Sequence, residues 1–153
     1  MKKVDKLKLD TPEKEIQKAT EVLHDIVLDY KAKYCRVNID GEIITGNFLL
    51  AEVMNIRSVG PNLVLAPDAN PGDGMLEVVL IPEDQRRQFA DYLTHIINGN
   101  SCPPFNYQTY SGKNISIEWD DTLLHADDEL VELQEKAAIS IEIQHSAMKF
   151  LVP

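Results

Sequence analysis

The sequence predicts a mainly β domain: a β-sandwich of two antiparallel sheets with two accessory α-helices. After residue 33, short stretches of alternating apolar and polar residues are separated by turns rich in Gly, Pro, Asn and Asp. This pattern is typical of sandwiches and barrels. Two stretches instead repeat their apolar residues at helical spacing. The 153 residues fit one domain with a single core. We expect residues 1–10 to be a tail or linker stub and residues 11–153 to form the domain.

The two helices are predicted from their starts and their apolar spacing. Thr11-Pro12-Glu13 favours a helix start, because Thr caps, Pro suits the first position and Glu favours the positive end of the dipole. The apolar stripe continues to about residue 32 and needs a partner. We expect this partner to be the domain's own sheet, with a neighbouring domain or a second copy as the alternatives. Pro82 opens the second helix, and Gly99 is placed to stop it.

The strands are predicted from period-two patterns and turn residues. Residues 34–39 alternate, and Asp40-Gly41 ends the run as a turn. Phe48–Ile56 and Met75–Ile81 are apolar enough to be buried strands, with a loop over residues 58–74 between them. Further strands are predicted at 105–110, 113–119 (after a tight turn at Ser111-Gly112), 122–126, 129–133, 137–144 and 147–152.

Composition excludes some classes of partner. The formal net charge is −10, which argues against nucleic-acid binding, because such proteins need basic surface to neutralise phosphates. The same charge disfavours strong electrostatic docking onto anionic lipid. The N-terminus has no signal-peptide core, and no apolar run approaches the roughly 18 residues of a membrane span. Two cysteines without metal-ligand spacing, Cys35 and Cys102, suit a cytoplasmic protein.

Two acidic regions are candidates for chemistry, and each has two interpretations. The loop from Ala66 to Met75 is not an EF-hand, since counting from Asp68 puts Val79 where a bidentate glutamate is required. A carboxylate with exposed carbonyls can hold magnesium, although an ordinary turn fits the same residues. The second region comprises Asp120-Asp121 and residues 127–129. These carboxylates are either solvated surface or include a general base, which would require a cleft beside a substrate hydroxyl.

In their order along the chain, these features resemble the C-terminal half of the diacylglycerol kinase and sphingosine kinase superfamily, including its bacterial lipid kinases. The most specific segment is Leu65-Ala66-Pro67-Asp68-Ala69 followed by Asp73-Gly74 and a strand. It is similar to the family pattern of Ala-Pro-x-Ala, a few residues, then Asp-Gly. The resemblance covers about residues 33–153 and is supported by these further segments: Asp40-Gly41-Glu42, Asn55 with Gly60, Ile115-Ser116-Ile117, Asp127-Asp128-Glu129 and 147–153.

The resemblance implies a β-sandwich packed against a nucleotide-binding α/β domain, with the active site between them. The implied partner carries a Gly-Gly-Asp-Gly-Thr signature that this sequence lacks, so ATP would be bound only through that domain. A structural Mg²⁺ would be held by the Asp73 carboxylate and the carbonyls of Asn70 and Met75. Glu129 would be the catalytic carboxylate that accepts the proton of a lipid hydroxyl such as that of diacylglycerol. The chain alone is expected to be inactive and to bind magnesium weakly or not at all.

Asp128 departs from the family pattern, which has glycine between the aspartate and the glutamate. A side chain at a turn glycine restricts the backbone, and a second carboxylate adds negative charge facing ATP. We therefore keep an alternative: a stand-alone, non-catalytic β-sandwich binding or regulatory module derived from the same family. Partners are expected to be the nucleotide-binding domain, in cis or in trans, and a lipid substrate. Homo-oligomerisation and peripheral membrane attachment of the full enzyme are left open.

Overall fold

A computed structural model describes residues 11–60, 63–100, 105–127, 129–136 and 138–144. These residues confirm the mainly β prediction, with antiparallel sheets and two α-helices in a β-sandwich-like arrangement. The predicted tail at 1–10, the strand at 147–152 and Cys102 lie outside the described residues. The domain boundaries stay predictions.

In the described part of the chain, ten strands form one six-stranded sheet and two two-stranded sheets. The large sheet has the order β10-β7-β1-β2-β5-β6, all antiparallel, and the small sheets are β3-β4 and β8-β9. The strands are β1 Lys33–Ile39, β2 Glu42–Met54, β3 Ser58–Val59, β4 Leu63–Val64, β5 Leu76–Pro82, β6 Gln108–Gly112, β7 Asn114–Trp119, β8 Leu123–Ala126, β9 Glu129–Glu132 and β10 Ala138–Glu142.

The β1–β2 hairpin turns at the predicted Asp40-Gly41. Both residues have positive φ, 48° and 100°, as the two-residue hairpin turns that match strand twist require. The Asn38 side chain accepts a hydrogen bond from the Gly41 N–H at 2.8 Å. The sequence prediction placed the next strand at Phe48–Ile56, but β2 begins at Glu42 because its first half pairs with all of β1.

The six-stranded sheet curls back on itself where β6 runs into β7. These strands are separated only by Lys113, yet β6 pairs with β5 and β7 pairs with β1. The predicted tight turn at Ser111-Gly112 is therefore wrong: both residues belong to β6, and the chain bends at Lys113 to change neighbours. Gly112 makes this corner possible, because a Cβ atom at this position would lie 2.5 Å from Ile39 Cγ2, which is too close for two carbon atoms.

Asp40, which lies in the β1–β2 hairpin turn, stabilises the same corner through hydrogen bonds. Its carboxylate accepts hydrogen bonds from the Lys113 N–H at 2.8 Å, the Asn114 N–H at 2.9 Å and the Asn114 side-chain amide at 3.0 Å. These donors, the Lys113 N–H first, lower the pKa of Asp40. The corner therefore depends on a side chain that sequence reasoning had assigned only to a turn.

Among the described residues, two apolar cores lie on opposite faces of this sheet. The curled face encloses one core, which includes Val37, Val78, Leu80 and Ile115. The other face packs under the helices and contributes Val79 and Ile81 to a second core. The pairing of β2 with β5 shifts its register between Phe48 and Leu50.

The helices form a pair above the second core. Helix α1 spans Pro12–Asp29, and α2 spans Arg86–Ile97 after a 3₁₀ turn at Glu83–Gln85. Thr11 caps α1 as predicted, accepting from the Lys14 N–H at 3.4 Å. The α1 helix ends at Asp29, before the predicted residue 32, and the Arg86 guanidinium donates to the C-terminal carbonyls of Val27 and Leu28. Val27 also enters the core beneath, but Ile26 and Tyr30 of the predicted stripe are exposed. The stripe of α1 is therefore covered in part, chiefly by α2 and not by the sheet as expected.

Candidate acidic site

The Asp73 loop is an ordered turn that leads into β5. The Asp73 carboxylate Oδ1 accepts the Met75 N–H at 2.8 Å, and the Asp73 N–H donates to the Asn70 carbonyl at 3.2 Å. The Asn70 side chain accepts the Gly72 N–H at 3.0 Å. Gly74 has φ 75°, a conformation that favours glycine. The three residues proposed from sequence thus lie in one hydrogen-bonded turn.

The chemistry of this turn fits a hard cation. Asp73 Oδ2 makes no hydrogen bond within the described residues, and carbonyl oxygens have a second lone pair for a ligand. Carboxylate and carbonyl oxygens completed by water are what Mg²⁺ prefers. No cluster of three or more His, Cys, Asp or Glu side chains with metal-binding geometry occurs among the described residues.

Glu129 begins β9, directly after the turn of the β8–β9 hairpin. It pairs with Ala126, and Asp127 before it has φ 49°. Its side chain is exposed and makes no hydrogen bond or ion pair within the described part of the chain. Asp128, the departure from the family pattern, lies outside the described residues.

The base of this hairpin is attached where β1 begins. The Lys33 ammonium lies 2.9 Å from the Asp121 carboxylate, and the Asp120 N–H donates to the Tyr34 carbonyl at 3.0 Å. The hydrogen bond from Lys33, followed by that from the Thr122 N–H, lowers the pKa of Asp121. Asp120 accepts from Lys136 at 2.6 Å. Asp120-Asp121 therefore holds the hairpin in place through ion pairs.

Glu52 of β2 lies beyond the part of that strand that pairs with β1, since β1 pairs with β2 only as far as Phe48. His125 of β8 is near enough to this carboxyl for its charge to act on it.

Glu52 was missed by sequence reasoning, which treated the segment as a uniformly buried strand. It is partly buried in β2 opposite Val79. Burial raises the pKa of Glu52, and nearby His125 acts in the opposite direction. A carboxylate interrupting the apolar run Phe48–Met54 was the available signal.

The fold is a β-sandwich-like domain, and the Asp73 loop and the turn before Glu129 both carry acidic side chains. The chain belongs to one family of such domains: residues 2–152 match the YegS C-terminal NAD kinase beta sandwich-like domain. The suspected relationship to the C-terminal domain of diacylglycerol kinase-like lipid kinases is thereby confirmed.

Named relatives agree with this assignment. Two proteins named diacylglycerol kinase, from the CDC 1551 / Oshkosh and ATCC 25618 / H37Rv strains of Mycobacterium tuberculosis, are each 28% identical over 93 residues. These residues are 60% of this chain and 30% of each relative. The chain thus matches less than a third of the length of these relatives.

Solved structures share the fold. A diacylglycerol kinase from Bacillus anthracis str. Sterne superimposes with a TM-score of 0.58 at 19% identity, covering 84% of this chain and 45% of that one. Another chain from the same strain gives a TM-score of 0.60 at 19% identity, covering 80% of this chain and 41% of that chain.

No helix among the described residues is long and apolar enough to cross a membrane.

Proposed function

We propose that this chain is the lipid-substrate-side domain of a diacylglycerol-kinase-like enzyme, which transfers the γ-phosphoryl group of ATP to a lipid hydroxyl. The family match across residues 2–152 is the observation that carries the proposal. The relatives named diacylglycerol kinase support it. A hydroxyl such as that of diacylglycerol is the acceptor in this proposal.

In this proposal the ATP is held by a nucleotide-binding domain, joined in cis or supplied in trans. Phosphoryl transfer depends on positioned phosphates and metal ions, and the acidic turns described above cannot cradle a triphosphate of the same sign of charge. The chain alone is therefore inactive. It works in the cytoplasm and reaches the membrane surface only as part of the complete enzyme.

Glu129 is the proposed general base. Its carboxylate is exposed and lacks a protein partner among the described residues, so it is free to accept the proton of a lipid hydroxyl. Glu129 belongs to the first residue pair of the β8–β9 ladder after the turn. Its backbone position is therefore defined, while its side chain stays accessible. As the hydroxyl oxygen attacks phosphorus, the proton passes to the Glu129 carboxylate.

The Asp73 loop is the proposed site of a structural Mg²⁺. The Asp73 carboxylate and the carbonyls of Asn70 and Met75 would hold it, and the ion when bound would offset negative charge at this end of the domain. The hydrogen bonds from the Met75 and Asp73 N–H groups already shape this loop. The protein residues thus supply the turn, and the ion would stiffen it.

A two-part kinase assay tests the proposal. The chain is incubated with labelled ATP, magnesium and diacylglycerol micelles, alone and together with a nucleotide-binding domain that carries the Gly-Gly-Asp-Gly-Thr signature. We expect labelled lipid only from the combined proteins. Robust turnover by the chain alone would disprove the proposal that a separate nucleotide-binding domain is needed to hold ATP. A combination that binds ATP but labels no lipid would instead favour the non-catalytic module.

A further inference from the structure

The turn that carries Asp73 is preceded by a mostly buried stem, residues 65–69. Three stem residues expose no more than 2% of their surface: Leu65, Ala66 and Ala69. Backbone N–H and C=O groups that are buried in this way need hydrogen-bond partners. Two residues outside the stem, Arg57 and Tyr107, supply such partners.

The first peptide unit of the stem is held at both of its polar atoms. The Tyr107 hydroxyl donates to the Leu65 carbonyl, and the Ala66 N–H donates to the Arg57 carbonyl at 3.1 Å. That carbonyl and that N–H belong to one planar unit, so its orientation is fixed from both sides. Burial raises the pKa of Tyr107 to about 12, and the hydroxyl therefore stays a hydrogen-bond donor at neutral pH.

The ring of Tyr107 is held in turn by aromatic packing. Phe105 contacts the Tyr107 ring at a centroid distance of 5.0 Å and stacks on Phe89 of α2 at 5.5 Å. Phe89 is buried in the core beneath the helices. The hydroxyl that reaches the stem is therefore presented by a cluster anchored in that core.

The last residue of the stem is held by the side chain of Arg57. The Arg57 Nε–H donates to the Ala69 carbonyl at 3.4 Å, and the Ala69 N–H donates to the Ala66 carbonyl at 3.0 Å. The next carbonyl along the chain is that of Asn70, which accepts from the Asp73 N–H at 3.2 Å. Successive hydrogen bonds thus lead from Arg57 to the Asp73 turn.

We propose that Tyr107 and Arg57 are positioning residues for the Asp73 turn, which they hold in the geometry that a divalent cation needs. This role depends on the proposed function, in which the turn holds Mg²⁺. Because Mg²⁺ demands near-ideal octahedral geometry, a ligand carbonyl that can rotate binds it less well. Residues that orient metal ligands typically lower metal affinity by about 10- to 100-fold when they are replaced.

The charge of Arg57 distinguishes positioning from a simple electrostatic effect. A guanidinium near a bound cation repels it, so charge alone predicts that removing Arg57 tightens magnesium binding. Positioning predicts the opposite sign, because the Ala69 carbonyl loses its donor. Arg57→Met keeps a side chain of similar length without charge or donor, and we expect its magnesium affinity to fall about 10-fold.

Calorimetric titration of Mg²⁺ into the combined two-domain protein without ATP measures this affinity. Tyr107→Phe keeps the ring and removes only the hydroxyl, and we expect about 10-fold weaker binding. Tyr110→Phe is the matched control, because its hydroxyl donates to the Gln108 side chain at 3.1 Å within β6, and it should bind like the wild type. Wild-type affinity in Tyr107→Phe, or unchanged or tighter binding by Arg57→Met, would overturn the inference and leave the proposed magnesium site intact.

Amide hydrogen exchange of this chain alone tests the same role without a metal. Loss of either donor should speed exchange at the stem and turn amides of Ala66, Ala69 and Asp73 relative to the amides of the β1–β2 ladder. Equal acceleration of both groups would show a general loss of stability and would overturn positioning. Local acceleration in the variants, combined with a wild-type two-domain protein that binds no magnesium, would overturn the metal role of the turn and this inference with it.

Discussion

Gly112→Ala tests the corner that closes the large sheet. The added Cβ would lie 2.5 Å from Ile39 Cγ2, 3.0 Å from Asp40 Oδ2 and 3.2 Å from Ile115 Cδ1. The first distance is shorter than real Cβ contacts, and Ile39 and Ile115 are both buried. A neighbour must therefore move, and the residues that would have to move belong to the turn and core that hold β1 and β7 together.

The magnitude follows from overpacking. An extra carbon in a filled core typically costs about 1–3 kcal/mol, while replacing a strand glycine by alanine recovers about 0.5–1 kcal/mol. We expect a net loss of about 1–2 kcal/mol in the free energy of unfolding. For a chain of this length that corresponds to a decrease in Tm of about 2–8 °C.

Urea unfolding followed by circular dichroism measures this loss. Gly72→Ala is the matched control, because its Cβ would meet only Asn70 Oδ1 at 3.4 Å, an ordinary contact. Ile39→Ala removes the Cγ2 atom that Gly112→Ala would strike. In the double variant the two losses should be less than additive. A neutral Gly112→Ala, or strict additivity of the pair, would refute the close approach at this corner.

Three further predictions concern carboxylates. Asp40→Asn should destabilise the chain at pH 7, because the amide cannot accept from all three donors. Since the pKa of Asp40 is lowered in the fold, the difference should shrink as pH falls below about 4; urea unfolding at several pH values measures it, and a constant difference would contradict the assignment. Glu52→Gln should stabilise the chain at pH 7, because burial raises the pKa of Glu52 and disfavours its charged form. That gain should disappear as pH falls toward about 4.3, where the unfolded chain also binds the proton, and a gain unchanged with pH would count against it. In the combined two-domain protein without ATP, Asp73→Ala should abolish the calorimetric heat of magnesium binding that the wild type and Asp68→Ala show at this loop, and an Asp73→Ala titration identical to that of the wild type would exclude Asp73 as a ligand.

Local features of the fold could be predicted from sequence. The alternation at residues 34–39 identified β1, because one face of that strand is buried and the other exposed. Thr11-Pro12 identified the start of α1, because capping is decided by adjacent residues. These predictions needed no knowledge of distant contacts. The same local reasoning identified the Asp40-Gly41 turn.

Features that depend on strand neighbours could not be predicted. Ser111-Gly112 has the composition of a turn, but the need for glycine comes from Ile39, which is distant in sequence. The start of β2 at Glu42 was missed because its exposed first half lacks a buried pattern. Strand pairing decides both features, and periodicity does not show which strands become neighbours.

The candidate site was predicted in part. The Asp73 loop was singled out because its oxygen chemistry is visible in neighbouring residues, and the family resemblance supplied the proposed ligands. The relation between Glu52 and His125 was not found, because these residues are distant in sequence and come near each other only in the folded chain. The roles of Glu129, Asn70, Asp73 and Met75 stay predictions.

Glu129→Gln in the combined two-domain enzyme tests the central claim most directly. The amide keeps the size of the side chain but cannot accept the proton of the lipid hydroxyl. We predict a loss of lipid phosphorylation of about 100-fold or more, with ATP binding and the circular dichroism spectrum unchanged. Glu132→Gln, on the same exposed strand, should retain activity. Wild-type turnover by Glu129→Gln would show that this hairpin does not supply the base.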